Sequence, residues 1–245
     1  MKTFSLLNQK GGTGKTTSAV SLGAVWAEED RDVLLVDLDP QASLSRWIGT
    51  SKPQCARFLK EKIGVSEAAV GTDWEHLDLV PADRSLAGLE DFRAGKLVRR
   101  LESLLAAAET VYDVCLVDPP PSTGSLVLTA MLSAEGIIAP VQTGQGALDG
   151  LTDTMGLIRQ VGGTFEGAFA CQVDIRTVND SRVPELLKDK LGKNAYDTFI
   201  RETVQVKEAE AEHIPPPVYA PDATATEDYR NLATEIMTKT TEVAA

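Results

Sequence analysis

The stretch Lys10-Gly11-Gly12-Thr13-Gly14-Lys15-Thr16-Thr17 carries the residue types that grip a polyphosphate. Glycines let successive backbone N–H groups turn inward on an anion, a lysine reaches the terminal phosphates, and a hydroxyl ligates Mg2+. Gly12 and Gly14 supply the freedom, Lys15 the charge and Thr16 the hydroxyl. The string departs from the general pattern at one place: Gln9 stands where a glycine is usual, and Lys10 follows it. A second lysine there is either a surface charge beside an anion or a group that reaches a nucleotide held by another subunit. Residue chemistry alone leaves both readings open. Two carboxylate segments, Asp37-Leu38-Asp39-Pro40-Gln41 and Asp118-Pro119-Pro120-Pro121-Ser122, each follow a hydrophobic run. Asp39 and Asp118 are therefore candidates for the chemistry of a bound phosphate, and Asp37 is a candidate for the same or for a strand-end turn.

These groups need elements to hold them. Thr3 to Leu7 reads as a short strand ending at the loop, and Thr16 to Glu28 as a helix starting inside it, with its N-terminus on the anion. Val33 to Val36, Val114 to Val117 and Gly136 to Val141 are continuous apolar runs of the kind that parallel strands covered on both faces show. Leu77 to Val80 and Phe169 to Val173 are weaker strands; Lys96 to Glu109 is an amphipathic helix and Asp222 to Met237 a terminal one. Strands alternating with helices predict the α/β class: a doubly wound, mostly parallel sheet with helices on both faces.

With 245 residues, 43% of them hydrophobic, one domain over 1–245 is expected. A net charge of −12 gives no whole-chain basic footprint for nucleic acid, although a local patch remains compatible with it. Cys55, Cys115 and Cys171 lack metal or redox spacing, and His76 and His213 have no ligand-spaced partner. No leader peptide opens the sequence and no apolar run reaches the roughly 18 residues of a membrane span, so a cytoplasmic protein is expected.

Taken in order, Lys10 to Thr17, Asp37 to Gln41, Asp118 to Ser122 and Pro140-Val141-Gln142 with Ala147 to Leu151 resemble the deviant Walker A ATPases of the ParA/MinD superfamily. The form is most similar to ParA proteins without a separate N-terminal DNA-binding domain. The resemblance implies ATP and Mg2+ as ligands and slow ATP hydrolysis. Lys10, Gly11, Gly12, Thr13, Gly14, Lys15, Thr16 and Thr17 would bind nucleotide, with Lys10, Lys15 and Asp39 catalytic and Thr16, Asp39 and Asp118 around the metal. Lys10 would cross a nucleotide-sandwich homodimer, where Gly11 lies against the partner. Arg201 and Thr203 fall where adenine contacts are expected, although Glu202 stands at the family's usual arginine. Similarity further implies nonspecific DNA binding in the ATP state, hence nucleoid association, and a ParB-like centromere-binding or adaptor protein that stimulates hydrolysis. The DNA candidates are Lys188, Lys190, Lys193, Arg201 and Lys207, with Arg176 and Arg182 behind them. A MinD-like membrane ATPase is the alternative within the superfamily, but the last residues, Met237 to Ala245, lack the basic amphipathic pattern it would use. An ATP-binding regulatory scaffold with little turnover is the alternative outside it.

Overall fold

The computed structural model describes residues 1–49, 54–61, 63–90, 92–144 and 146–244. Seven strands form one sheet: β1 (Lys2–Leu6), β2 (Val33–Asp37), β3 (Val70–Gly71), β4 (Leu77–Val80), β5 (Val114–Asp118), β6 (Gly136–Gln142) and β7 (Phe165–Cys171). Their spatial order is β3-β4-β2-β5-β1-β6-β7, and every pairing is parallel except β3 with β4. The helices are α1 (Lys15–Glu28), α2 (Ser43–Trp47), α3 (Cys55–Lys60), α4 (Val65–Ala68), α5 (Ala94–Ala108), α6 (Ser125–Ser133), α7 (Ala147–Val161), α8 (Val178–Ser181), α9 (Val183–Leu191), α10 (Val204–Ala211), α11 (Pro216–Tyr219) and α12 (Thr224–Ala244).

The period of two along each strand divides the core between the two faces. Phe4, Leu6, Val33, Leu35, Val114 and Leu116 turn toward α1 and α12, where Trp26, Tyr229 and Ile236 close the packing. Leu34, Val36, Cys115 and Val117 turn the other way, onto α3, α5 and α6. Ala139 and Val141 of β6 meet Leu151 of α7 and Leu187 of α9. Each large apolar side chain buried this way contributes roughly 1.5–3 kcal/mol. That explains why the strands carry unbroken apolar runs.

Strand order places the site. From β1 the chain goes by α1 to β2 on one side, whereas β6 and β7 lie on the other, so β1 is where the winding reverses. Ligands of open α/β sheets bind beyond the carboxyl ends of strands at such a point. The loops after β1, β2 and β5 all open there, and they carry the three segments singled out above.

Two elements differ from expectation by more than two residues. β7 starts at Phe165 and ends at Cys171, whereas Phe169 to Val173 was expected. Its first half is disguised by Glu166 and by Gly167, where a Cβ would come within 2.8 Å of the Asn194 carbonyl oxygen. Only a glycine fits that approach. α12 runs on to Ala244, past the expected Met237. Its threonines, poor helix formers, bond back to the preceding turn, Thr238 to Thr234, Thr240 to Ile236 and Thr241 to Met237.

Candidate functional site

The loop between β1 and α1 is held from three sides. Asn8 donates its side-chain amide to the Pro140 carbonyl (2.9 Å) and accepts from the Lys10 backbone N–H (3.1 Å). The Gln9 N–H donates to Thr154 Oγ1 of α7 at 3.2 Å. The Cys171 thiol, buried and pushed up to about 12 by desolvation, donates to the Thr13 carbonyl at 2.9 Å. Gln172 takes a bond from Gln142 (2.7 Å) and donates to the Gly12 carbonyl (3.4 Å). Sequence reasoning missed Asn8, Thr154 and Gln172 as supports, since each acts through a backbone partner far along the chain.

Gly12 (φ 74°) and Gly14 (φ 84°) occupy the left-handed region, which disfavours any residue with a Cβ. At Gly14 a Cβ would also lie 3.2 Å from Cys171 Sγ. Gly14→Ala is expected to lower the melting temperature by several degrees and to remove most of the thermal stabilisation by Mg-ADP. An unchanged Mg-ADP shift in the variant would show that the loop conformation is not needed for the anion. Gly11 differs: its φ is not positive, and a Cβ there would meet nothing within 4 Å. Nothing among the described residues requires glycine at that position.

Lys15 opens α1, is buried, and donates to the Asn8 carbonyl at 3.2 Å. Burial lowers its pKa, and the nearby Asp118 and Asp39 carboxylates act against that. Thr16 donates its hydroxyl to Asp118 Oδ2 at 2.6 Å, so the loop after β1 and the end of β5 meet directly. The other oxygen, Asp118 Oδ1, is buried with no hydrogen-bond partner. Desolvation, then the neighbouring Asp37, raises Asp118 to about 7.

Asp37 is fully buried at the end of β2 and is raised to about 6, again chiefly by desolvation. Its Oδ2 accepts from Ser45 N (2.9 Å) and Ser45 Oγ (2.6 Å), and Oδ1 from Asp39 N (3.0 Å). It therefore ties the start of α2 and the Asp39 loop to the sheet, which makes its role here that of an anchor. Asp39 itself is half-buried and accepts from Gln41 N at 2.8 Å.

An orphaned carboxylate oxygen beside a threonine hydroxyl is what a phosphate-bound Mg2+ needs from a protein, because that ion keeps mostly water and phosphate ligands, and the Lys15 ammonium suits the phosphates themselves. Among the described residues no set of three His, Cys, Asp or Glu converges as a metal cage. The donor set thus fits a metal that arrives with a nucleotide. Beside Gly14 and Thr17 opens a cavity of about 150 Å3, lined by Cys171, Arg201, Thr203 and Tyr229 among others, large enough for part of a base. Thr203 Oγ1 is buried without a partner.

Four of the five expected DNA residues have polar partners within the chain. Arg201 gives its guanidinium to Asp228 (2.6 Å) and Glu227 (3.2 Å) of α12. Lys188 pairs with Asp197 (2.7 Å) and Lys207 with Glu202 (3.1 Å). Lys190 donates to Thr152 Oγ1 (2.6 Å), and Lys193 is exposed. Arg201 is thus held as a tie between the segment after β7 and α12, which is why it lies at the small cavity and is not presented outward.

A family model described as an AAA domain matches residues 1–170. The sporulation initiation inhibitor protein Soj of Bacillus subtilis is 34% identical, the match spanning 96% of this chain and 98% of that one. The chromosome partitioning protein ParA of Caulobacter vibrioides is 33% identical over 98% of this chain and 95% of its own. Among solved structures, cobyrinic acid a,c-diamide synthase from Mycobacterium smegmatis with bound ATP analogue and magnesium is similar at a TM-score of 0.76 and 28% identity, covering 97% of this chain and 94% of that one.

Proposed function

The chain belongs to the ParA/MinD family of P-loop ATPases, shown by the matched domain and two near-full-length relatives, and on that footing we propose that Mg-ATP switches it between two states that position a large cargo. The observation that carries the reading is the meeting of Lys15, Thr16 and Asp118 beyond the carboxyl ends of β1 and β5. Phosphoryl transfer depends mostly on positioning and charge neutralisation, and these residues supply both.

Lys15 holds the terminal phosphates. Thr16 and Asp118 hold the Mg2+ shell, and the bound ion neutralises charge on the phosphates. Asp39, on the loop that Asp37 anchors, orients the attacking water. Arg201 and Thr203 lie beside the base. Lys10 reaches the nucleotide of a second copy in a sandwich homodimer, and Gly11 leaves room for that copy. The open space around Gly11 supports the last point. In this reading residues 1–245 act as one ATPase unit. The ATP dimer binds nonspecific DNA of the nucleoid, and a ParB-like centromere-binding or adaptor protein stimulates hydrolysis and release. Among the described residues no helix is long and apolar enough to cross a membrane.

Binding to random-sequence duplex DNA is the test, with ATP, ADP or no nucleotide, at two salt concentrations, for wild type and Lys10→Ala. The expected result is salt-sensitive binding by wild type with ATP alone, lost in the variant together with the dimer. Dimerisation with ATP but no DNA binding even at low salt would remove the DNA part of the proposal. Equal dimerisation of Lys10→Ala would remove the role given to Lys10.

A further inference from the structure

A chain of net charge −12 places four cations and no carboxylate between Arg93 and Leu101. Arg93 is the N-cap of α5, and Lys96 lies in its first turn. Positive charge at that end opposes the helix dipole, so it is not there for the stability of α5 itself. Burial does not demand it, since the inward side of α5 is Leu97, Val98, Leu101, Leu104, Leu105 and Ala108. A charge pattern held against the local preference of its own helix indicates a use elsewhere.

Lys96, Arg99 and Arg100 form one wall of a surface groove of about 600 Å3. Across the groove Glu61 pairs with Arg57 (3.1 Å), which also holds Glu67 (2.6 Å), so the three leave one net negative charge there. Among the described residues, Lys96, Arg99 and Arg100 have no ion-pair partner, whereas Lys188, Arg201 and Lys207 each have one. Lys190, Lys193 and Arg182 of the C-terminal third lack one as well, but they stand among Glu185 and Asp189 and Lys190 is held by Thr152 Oγ1, whereas α5 gathers three within five residues and no carboxylate between them.

We propose that this face of α5 is the surface on which the protein holds the phosphate backbone of duplex DNA. The proposal rests on the DNA-binding reading above and assigns its contact surface. Lys96 and Arg100 stand about 6 Å apart along the helix axis, a spacing that serves neighbouring phosphates, and arginine forks bind phosphate through two parallel bonds.

The test compares the full-length triple variant Lys96→Ala/Arg99→Ala/Arg100→Ala with Lys188→Ala/Lys190→Ala/Lys193→Ala and wild type, all with ATP, on a fluorescent random-sequence duplex over a salt series. Three contacts per protomer make six per dimer, so the α5 variant should flatten the slope of log affinity against log salt by about 5 and weaken binding roughly a hundredfold at moderate salt. Its melting temperature should equal or slightly exceed that of wild type and its basal ATPase rate should match, and the second variant should bind within about threefold of wild type. A folded α5 variant that binds DNA like wild type overturns the proposal. So does binding that fails only in the second variant, which would leave the DNA-binding reading intact. Wild type that dimerises with ATP yet never binds DNA overturns both. If the α5 variant keeps DNA but loses affinity for poly-glutamate, the face belongs to an acidic peptide instead.

Discussion

Replacing Lys15 with alanine is expected to lower kcat/KM for ATP by about a thousandfold or more, with the melting temperature of the nucleotide-free protein within a few degrees of wild type. The argument starts from placement. The Lys15 ammonium is buried at the first residue of α1, with the Asn8 carbonyl at 3.2 Å and the Asp118 and Asp39 charges nearby. In a site of low local dielectric, a cation aimed at developing phosphate charge contributes several kcal/mol, and loss of one preorganised donor typically costs a hundred- to a thousandfold. The same burial penalises the charged amine before any phosphate arrives, as its lowered pKa indicates. Removing it therefore takes away a desolvation penalty together with an attraction to Asp118, and the two effects on folding oppose each other. Lys15→Arg should fail nearly as badly, because a planar fork cannot occupy the volume of a compact ammonium under the Asn8 carbonyl. Steady-state turnover with a thermal melt decides it: near-normal turnover in either variant would mean that Lys15 is not the phosphate-binding group.

Much of this site was legible from residue order alone. The spacing of Gly12, Gly14, Lys15 and Thr16 requires one local geometry, and the backbone has it, with positive φ at both glycines and α1 opening at Lys15. The apolar runs leading to Asp37 and Asp118 gave away β2 and β5 because parallel strands covered on both faces admit few polar residues. What stayed hidden depends on contacts between distant segments. No local pattern announces that Cys171 and Gln172 brace Gly12 and Thr13 across some 160 residues. Nor could periodicity separate Asp37 from Asp39. Both follow the same strand, and only the bonds from Ser45 and Asp39 N to the Asp37 carboxylate show that one anchors while the other stays available. The short α2, α3 and α4 escaped notice because a few residues of helix leave no period to read. Among the DNA candidates, counting cations along the C-terminal third could not reveal that Arg201 is already bound to Asp228.

Asp118→Asn should separate function from stability, reducing ATP turnover at least about a hundredfold while raising the apo melting temperature at pH 8 by about 5 °C. Burial and the neighbouring Asp37 raise Asp118 to about 7, well above the ordinary aspartate value that the unfolded chain keeps. Between those two values the folded protein holds a proton that the unfolded one has lost. The native state is therefore favoured at low pH, loses that advantage as pH climbs through the window from about 4 to about 7, and carries the full penalty above it. Asparagine removes the charge and can still accept the Thr16 hydroxyl, so the variant escapes the penalty. A gain of about 2 kcal/mol, with part of the penalty offset by the amide's own unmet bonds, corresponds to the few degrees expected for a chain of this length. At pH 5 most of the wild-type population is protonated, so the variant's advantage should shrink by more than half. Mg-ADP should reverse the order at pH 8, because wild type gains a cation beside its orphaned Oδ1 and the variant offers no charge to meet one. Apo melts at pH 5 and pH 8, repeated with Mg-ADP, test each step. A variant less stable than wild type at pH 8 would mean that Asp118 is held charged by attraction to Lys15, and that its burial imposes no net cost. A gain equal at both pH values would assign the effect to packing around Thr16, and Asp118 would no longer be the group whose penalty the metal relieves.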